Sequence, residues 1–264
     1  TLGVVGTSEG PLSRNSGASY IFNYRYSFST LARKIGLLST DGDQADFQDM
    51  NFKFNFPTKK AGTFAVFGLG MNDKYWNDVP DFETWQSIYD QEYLESRQAM
   101  FVGGLTHNVY LGNGWKWNTA VAYSIFKNDG DDSYADYYYG DAPVVADKNT
   151  YAKYAEMRQK NQQLTVQTGF QKRFNDAFLS KVGVSYSEYY FDINLKMAEA
   201  VGATTLDPVY GADSHTGLLS AYISNSWEWN RWMTFNFGVN SEYFRLNKEA
   251  TIEPRAALQW NPSY

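Results

Sequence analysis

The chain has 264 residues, 18% of them aromatic, with no cysteine and a formal charge of −6. Lack of cysteine excludes a disulfide framework and every thiolate metal site, and the acidic balance gives no reason to expect a nucleic-acid partner. Negative mean hydropathy with so many aromatics excludes a helical membrane protein, whereas a transmembrane barrel alternates apolar and polar residues and shows no such average.

The longest apolar run, AVFGLGM at 65–71, is far short of the ~18 residues a spanning helix requires. The opening TLGVVGTSEG shows no targeting signal, and the chain begins as if cut from something longer. Strand periodicity marks about eleven stretches. They fall near 1–10, 18–33, 46–56, 63–72, 97–110, 115–127, 159–174, 178–192, 216–226, 231–246 and 251–261.

Taken in order, the clearest is SYIFNYRYSF, with Tyr20, Phe22, Tyr24, Tyr26 and Phe28 in one phase and Ile21, Asn23, Arg25 and Ser27 in the other. An extended chain sends those two sets to opposite faces. MNFKFNF separates Met50, Phe52, Phe54 and Phe56 from Asn51, Lys53 and Asn55. WNTAVAYSI sets Trp117, Thr119, Val121, Tyr123 and Ile125 against Asn118, Ala120, Ala122 and Ser124. LTVQTGF and MTFNFGVN repeat the division, and the last stretch sends Ile252, Pro254, Ala256, Leu258 and Trp260 one way. One wall is bulky and apolar; the other holds small, amide and charged residues.

Connections alternate in length. PLSRNSG, PTKKAG, LGNG, NDA and EWN carry the Pro, Gly, Asn and Asp of tight turns. Longer segments near 34–45, 73–96, 128–158 and 193–215 come between them, with a brief last one at 247–250. Charge follows the same division: 35–46, 72–97, 127–158 and 192–215 together carry −14 and the remainder +8. An up-and-down meander with short turns on one side and long acidic loops on the other is the arrangement of an outer-membrane barrel.

Soluble sandwiches alternate too. Strands longer than the ~5–6 residues usual in soluble sheets favour lipid as the neighbour of the apolar wall. So does the placing of Trp115, Trp117, Trp227, Trp229 and Trp232 about the short turns. A secreted all-β carbohydrate-binding or carbohydrate-active protein remains the alternative, as does a non-transporting outer-membrane barrel.

Catalytic motifs are weak. GTSEG at 6–10 matches the nucleophile elbow around Ser8, but a turn follows where the motif needs a helix. His107 and His215, the only histidines, are expected at opposite ends of the wall as rim residues. Asp129, Asp131 and Asp132 offer oxygens to a cation without the EF-hand spacing. No enzyme activity, metal or cofactor is expected. Loop aromatics are the better candidates for ligand contact: Trp76, Trp85 and Tyr89 in one loop, and Tyr134, Tyr137, Tyr138 and Tyr139 in another. Arg25, Lys53, Lys116, Arg173 and Arg255 on the polar wall are expected to point into a lumen, toward a plug or an anionic ligand.

GPLSRNSGASYIFNYRYSFSTL, DFQDMNFKFNFPTKKAGTFAVFGLG and SWEWNRWMTFNFGVNSEYFRLNKEATIEPRAALQW resemble the middle of the barrel of TonB-dependent outer-membrane receptors. The resemblance implies a bacterial outer-membrane location, a barrel of 22 strands filled by an N-terminal plug, and nutrient import driven through a TonB energising complex that contacts the plug. Outer-membrane lipid is an implied partner, and a surface lipoprotein is a further candidate. Residues 1–264 are then one incomplete domain, about half of a receptor wall, without the plug or the closing strands.

Overall fold

The computed structural model describes residues 3–27, 29–37, 44–77, 79, 88–135, 151–200, 203 and 205–262. Eleven strands follow one another: β1 (Gly3–Ser13), β2 (Ala18–Ser27), β3 (Gln44–Pro57), β4 (Thr63–Trp76), β5 (Glu92–Gly112) and β6 (Trp115–Tyr134). The rest are β7 (Ala152–Arg173), β8 (Phe178–Met197), β9 (Asp207–Asn230), β10 (Met233–Phe244) and β11 (Glu249–Trp260). All lie in one antiparallel sheet whose spatial order is the chain order, with β1 and β11 at its two edges. This is the expected up-and-down meander. Among the described residues no helix is long and apolar enough to cross a membrane, which says nothing of strands.

Turn chemistry sets the register. Between β5 and β6 the chain reverses through Gly112, Asn113 and Gly114, all at positive φ (87°, 47° and 76°), a backbone that only Gly and Asn adopt cheaply. Between β3 and β4, Thr58 donates its amide to the Gly62 carbonyl at 2.8 Å. Gly62 has φ of 82°, and a Cβ there would lie 2.7 Å from that of Val109. Asn175 closes the β7–β8 turn by accepting the amides of Ala177 and Phe178 at 3.0 and 2.8 Å.

Register carries one face through the sheet. Phe52 lies opposite Phe22 and Gly68, and Val66 opposite Phe54 and Leu105. Leu105 pairs with Val121, Val121 with Val166, and Val166 with Tyr186. Tyr186 pairs with Leu219, Leu219 with Tyr243, and Phe235 with Leu258. Every apolar phase read from the sequence therefore falls on a single face. A one-residue slip at any pair would have turned the following strands over.

Nothing covers that face among the described residues. Leu105 is 58% exposed and Ile252 75%, and the largest side chain buried completely is Ser27. The buried apolar residues are few and mostly alanines such as Ala18, Ala32 and Ala65. Among the described residues there is no second sheet to receive the aromatic rows, so the sandwich alternative has no support in the described fold.

Several boundaries depart from the sequence reading. Strand β2 ends at Ser27 rather than running to 33, and a short helix, α1 (Ser29–Lys34), follows. Ser29 fixes its start by donating to the Ala45 carbonyl on β3 at 2.5 Å. Strands β4 to β9 extend well into segments expected as loops, β5 beginning at Glu92 and β6 ending at Tyr134. In the last short turn, Glu228 and Asn230 belong to β9 and the reversal lies at Arg231 and Trp232. His215 sits within β9 opposite Tyr190 rather than at a loop edge.

Candidate functional site

Along each central strand the apolar face changes character at a fixed level. Apolar residues run from Trp115 to Ile125 on β6, from Phe170 to Leu164 on β7 and from Phe178 to Tyr186 on β8. Two of these runs match, and that on β7 falls a little short of, the ~9–11 residues that a tilted strand uses to cross a bilayer. Aromatics mark both borders: Trp115, Phe170 and Trp227 near the short turns, Tyr123, Tyr186 and Tyr243 near the long connections. Girdles of that kind flank the apolar band of membrane barrels.

Beyond the band the same face becomes charged. Lys74 and Arg97 hold Glu95 at 2.8 and 2.5 Å, and Lys153 and Arg158 hold Asp131 at 3.2 and 2.7 Å. Burial pushes the Glu95 carboxyl up, but hydrogen bonds from Lys74, Tyr93 and Arg97 outweigh it and keep the group below its usual range. Cross-strand ion pairs thus continue the sheet where apolar pairing stops.

The opposite face carries the five basic residues singled out in the sequence. Arg25, Lys53, Lys116, Arg173 and Arg255 all stand in the phase opposed to the apolar rows. Arg25 binds Asp49 at 2.6 Å and lies 4.9 Å from the centroid of Phe47. Lys116 stands 5.9 Å from the Tyr110 ring, Arg173 donates to the Asp176 carbonyl at 3.1 Å, and Arg255 binds Glu253 at 2.6 Å. They are spread over five strands and do not converge on one point.

Two of them border clefts. One, of about 420 Å³, brings Arg25, Phe47, Asp49, Met71, Asp73 and Met100 together from β2 to β5. Its lining mixes apolar Phe47, Met71 and Met100 with charged Arg25, Asp49 and Asp73. Burial raises the Asp73 carboxyl pKa, against a hydrogen bond from the Gln98 backbone, and its Oδ1 has no partner among the described residues. The other, of about 450 Å³, lies over Gly238 and presents Tyr222, Asn236, Asn240, Glu242 and Arg255. A Cβ at Gly238 would run into the Ile223 carbonyl and stand 3.0 Å from the Ser224 Cα, so β10 lies close against the backbone of β9 there. Asp73, Met71 and Met100 were not singled out in the sequence, because only the pairing of β3, β4 and β5 assembles them.

The aromatic candidates divide. Trp76 and Tyr134, expected in loops, are strand residues at the ends of β4 and β6. They face opposite sides: Trp76 is in the apolar phase with Lys74 5.1 Å from its ring, and Tyr134 is in the polar phase against Tyr154 at 5.2 Å. Tyr89 belongs to a short 3₁₀ turn, Ile88–Gln91, its side chain outside the described residues. Trp85, Tyr137, Tyr138 and Tyr139 also lie outside them.

Beside Tyr134, burial and the neighbouring Glu92 push the Asp132 carboxyl up to about 6. Asp129 and Asp131 point to the face opposite Asp132, so the three carboxylates do not form the cation cage their spacing suggested. Ser8 hydrogen-bonds Tyr20 at 2.9 Å, and β1 leads to β2 rather than to a helix. The nucleophile-elbow reading therefore fails. His107 stacks on Phe64 at 4.4 Å, with Nε2 2.6 Å from the Ala61 carbonyl.

A single meandering sheet with one uncovered apolar face, banded by aromatics, is the fold of an outer-membrane β-barrel wall. The structural likeness is to TonB-dependent siderophore receptors. The siderophore receptor PiuA of Acinetobacter baumannii matches 99% of this chain over 45% of its own, at 11% identity and a TM-score of 0.62. The ferric-catecholate import receptor Fiu of E. coli K12 matches 98% over 49% of its own, at 8% identity and 0.60. The ferric enterobactin receptor PfeA of Pseudomonas aeruginosa, in a mutant form, matches 99% over 39% of its own, at 11% identity and 0.58. The chain thus spans less than half the length of these receptors. No family model and no curated protein sequence matches it.

Proposed function

We propose that the chain is part of the wall of a bacterial outer-membrane receptor that imports a scarce, bulky ligand through a TonB energising complex. The observation that carries this reading is the apolar face, continuous through eleven strands and bare of any protein layer. In water such a face would be an aggregation surface; against acyl chains it is the ordinary exterior of a barrel. The edges β1 and β11 present unpaired backbone groups, which lipid cannot satisfy, so further strands close the barrel in the membrane.

On this reading the polar face lines the lumen. Arg25, Lys53, Lys116, Arg173 and Arg255 then give it a basic lining suited to an anionic ligand or to carboxylates of a plug. The two clefts are resting places along that lining. Ferric siderophores are the ligand class suggested by the receptors of like fold, and the wall itself performs no catalysis. Tyr134, in the polar phase at the loop-ward end of β6, is a candidate for first contact with ligand, and Trp76, Trp85, Tyr89, Tyr137, Tyr138 and Tyr139 are proposed for that role on sequence grounds alone.

Uptake of radiolabelled ferric siderophores by cells expressing the full-length protein tests the proposal. Accumulation should fall to background when the TonB complex is disrupted, while surface binding persists. Uptake that is indifferent to the energising complex would contradict it.

A further inference from the structure

Just loop-ward of the apolar band, two lysines face each other across the β6–β7 pair. Lys127 is the register partner of Lys160, and both lie on the apolar face. Like charges placed directly opposite destabilise a sheet. Elsewhere on this border the cations are neutralised, Arg97 by Glu95 and Arg158 by Asp131. Among the described residues, Lys127 and Lys160 have no carboxylate within ion-pairing distance. Asp192 is opposite Lys160 by register and Asp129 is next in phase after Lys127, yet neither forms an ion pair with them.

The surroundings say what kind of anion would sit there. One row toward the short turns the pair is met by Ile125 and Gln162, the latter hydrogen-bonded by the Tyr123 hydroxyl at 2.7 Å. Below them Val121, Leu164 and Val166 form an exposed apolar strip. A ligand satisfying both parts has an anionic head at the level of the lysines and a hydrocarbon tail running along β6 and β7. We infer that Lys127 and Lys160 form a headgroup site for a phosphate-bearing lipid of the loop-side leaflet, held on the outside of the wall. This rests on the membrane-wall reading above. Two ammonium groups with strip and charge in this order fit a phosphate monoester on an acyl chain; a free anion would gain nothing from the strip.

Spin-labelled lipids in vesicles containing the full-length protein test it. In phosphatidylcholine vesicles, labelled phosphatidic acid should be motionally restricted by the protein in preference to labelled phosphatidylcholine, by about fivefold for each lysine. The Lys127→Gln/Lys160→Gln variant should lose that preference, and Lys127→Arg/Lys160→Arg should retain it. Excess inorganic phosphate at matched ionic strength should leave it unchanged. Undiminished preference in the glutamine variant would overturn the assignment, and displacement by inorganic phosphate would mark a simple anion site instead. Restriction of phosphatidylcholine alone would refute the headgroup site while leaving the wall in lipid. If no lipid were restricted, both readings would fall.

Discussion

Asp132 is a carboxylic acid whose chemistry is strongly altered by its setting. Its carboxyl is pushed up to about 6 by burial and by Glu92, its diagonal neighbour on β5, whereas in an unfolded chain it titrates near 3.8. A raised carboxyl pKa means that the folded state favours the protonated form, so stability is greatest below the unfolded value and falls as pH rises through the folded one. The loop-ward ends of β5 and β6 should therefore loosen between about pH 4 and 6, and Asp132→Asn should flatten that dependence. Amide hydrogen exchange at residues 92–96 and 130–134, followed across that range, measures it. Equal protection factors at pH 4 and pH 7 in the unmodified protein, exchange being corrected for its intrinsic pH dependence, would contradict the account. Nothing in the sequence announced this pair. Asp132 stood in an acidic run with Asp129 and Asp131, and only the alternation of β6 shows that it faces away from them and toward Glu92.

At the scale of the element, glycines at close strand contacts control how nearly the strands approach. A Cβ on Gly104 of β5 would meet the Val121 carbonyl of β6, the Ala122 Cα at 3.1 Å and the Phe67 ring at 2.9 Å. Backbone cannot yield as a side chain can. Gly104→Val should cost about 1–3 kcal/mol in unfolding of the full-length protein from detergent micelles, whereas Gly211→Ala on the interior strand β9, whose Cβ would stand 3.9 Å from the Ile193 carbonyl, should change stability by less than about 0.5 kcal/mol. Equal urea midpoints for the two would refute the claim. Strand existence and facing were legible in the sequence wherever the strand crosses the apolar band, because lipid on one side and solvent on the other enforce a period of two. Strand length was not. Past Ile125 and Leu164 both faces meet water, so the hydrophobic period vanishes, and cross-strand pairs such as Arg158 with Asp131 carry the ladder through sequence that reads as loop. The Arg25 cleft was hidden for a related reason, since four strands contribute to it and no local motif joins them.

For the whole molecule, the account depends on which medium meets each face. Eleven strands in register give one apolar surface and one polar surface, and the receptors of like fold share the wall architecture at about a tenth sequence identity. Faces and turns, rather than particular side chains, are therefore what the fold retains. The measurement that probes this most directly uses the absence of cysteine from these 264 residues, any cysteine elsewhere in the parent protein being replaced. Single cysteines at positions 119 to 125 of β6 in the full-length protein are spin-labelled, reconstituted in lipid vesicles and read for collision with oxygen and with a water-soluble nickel chelate. Positions 119, 121, 123 and 125 should collide mainly with oxygen dissolved in the bilayer, and positions 120, 122 and 124 mainly with the chelate. Loss of this two-residue alternation, or chelate access at Val121 and Tyr123, would contradict the assignment of the aromatic face to lipid.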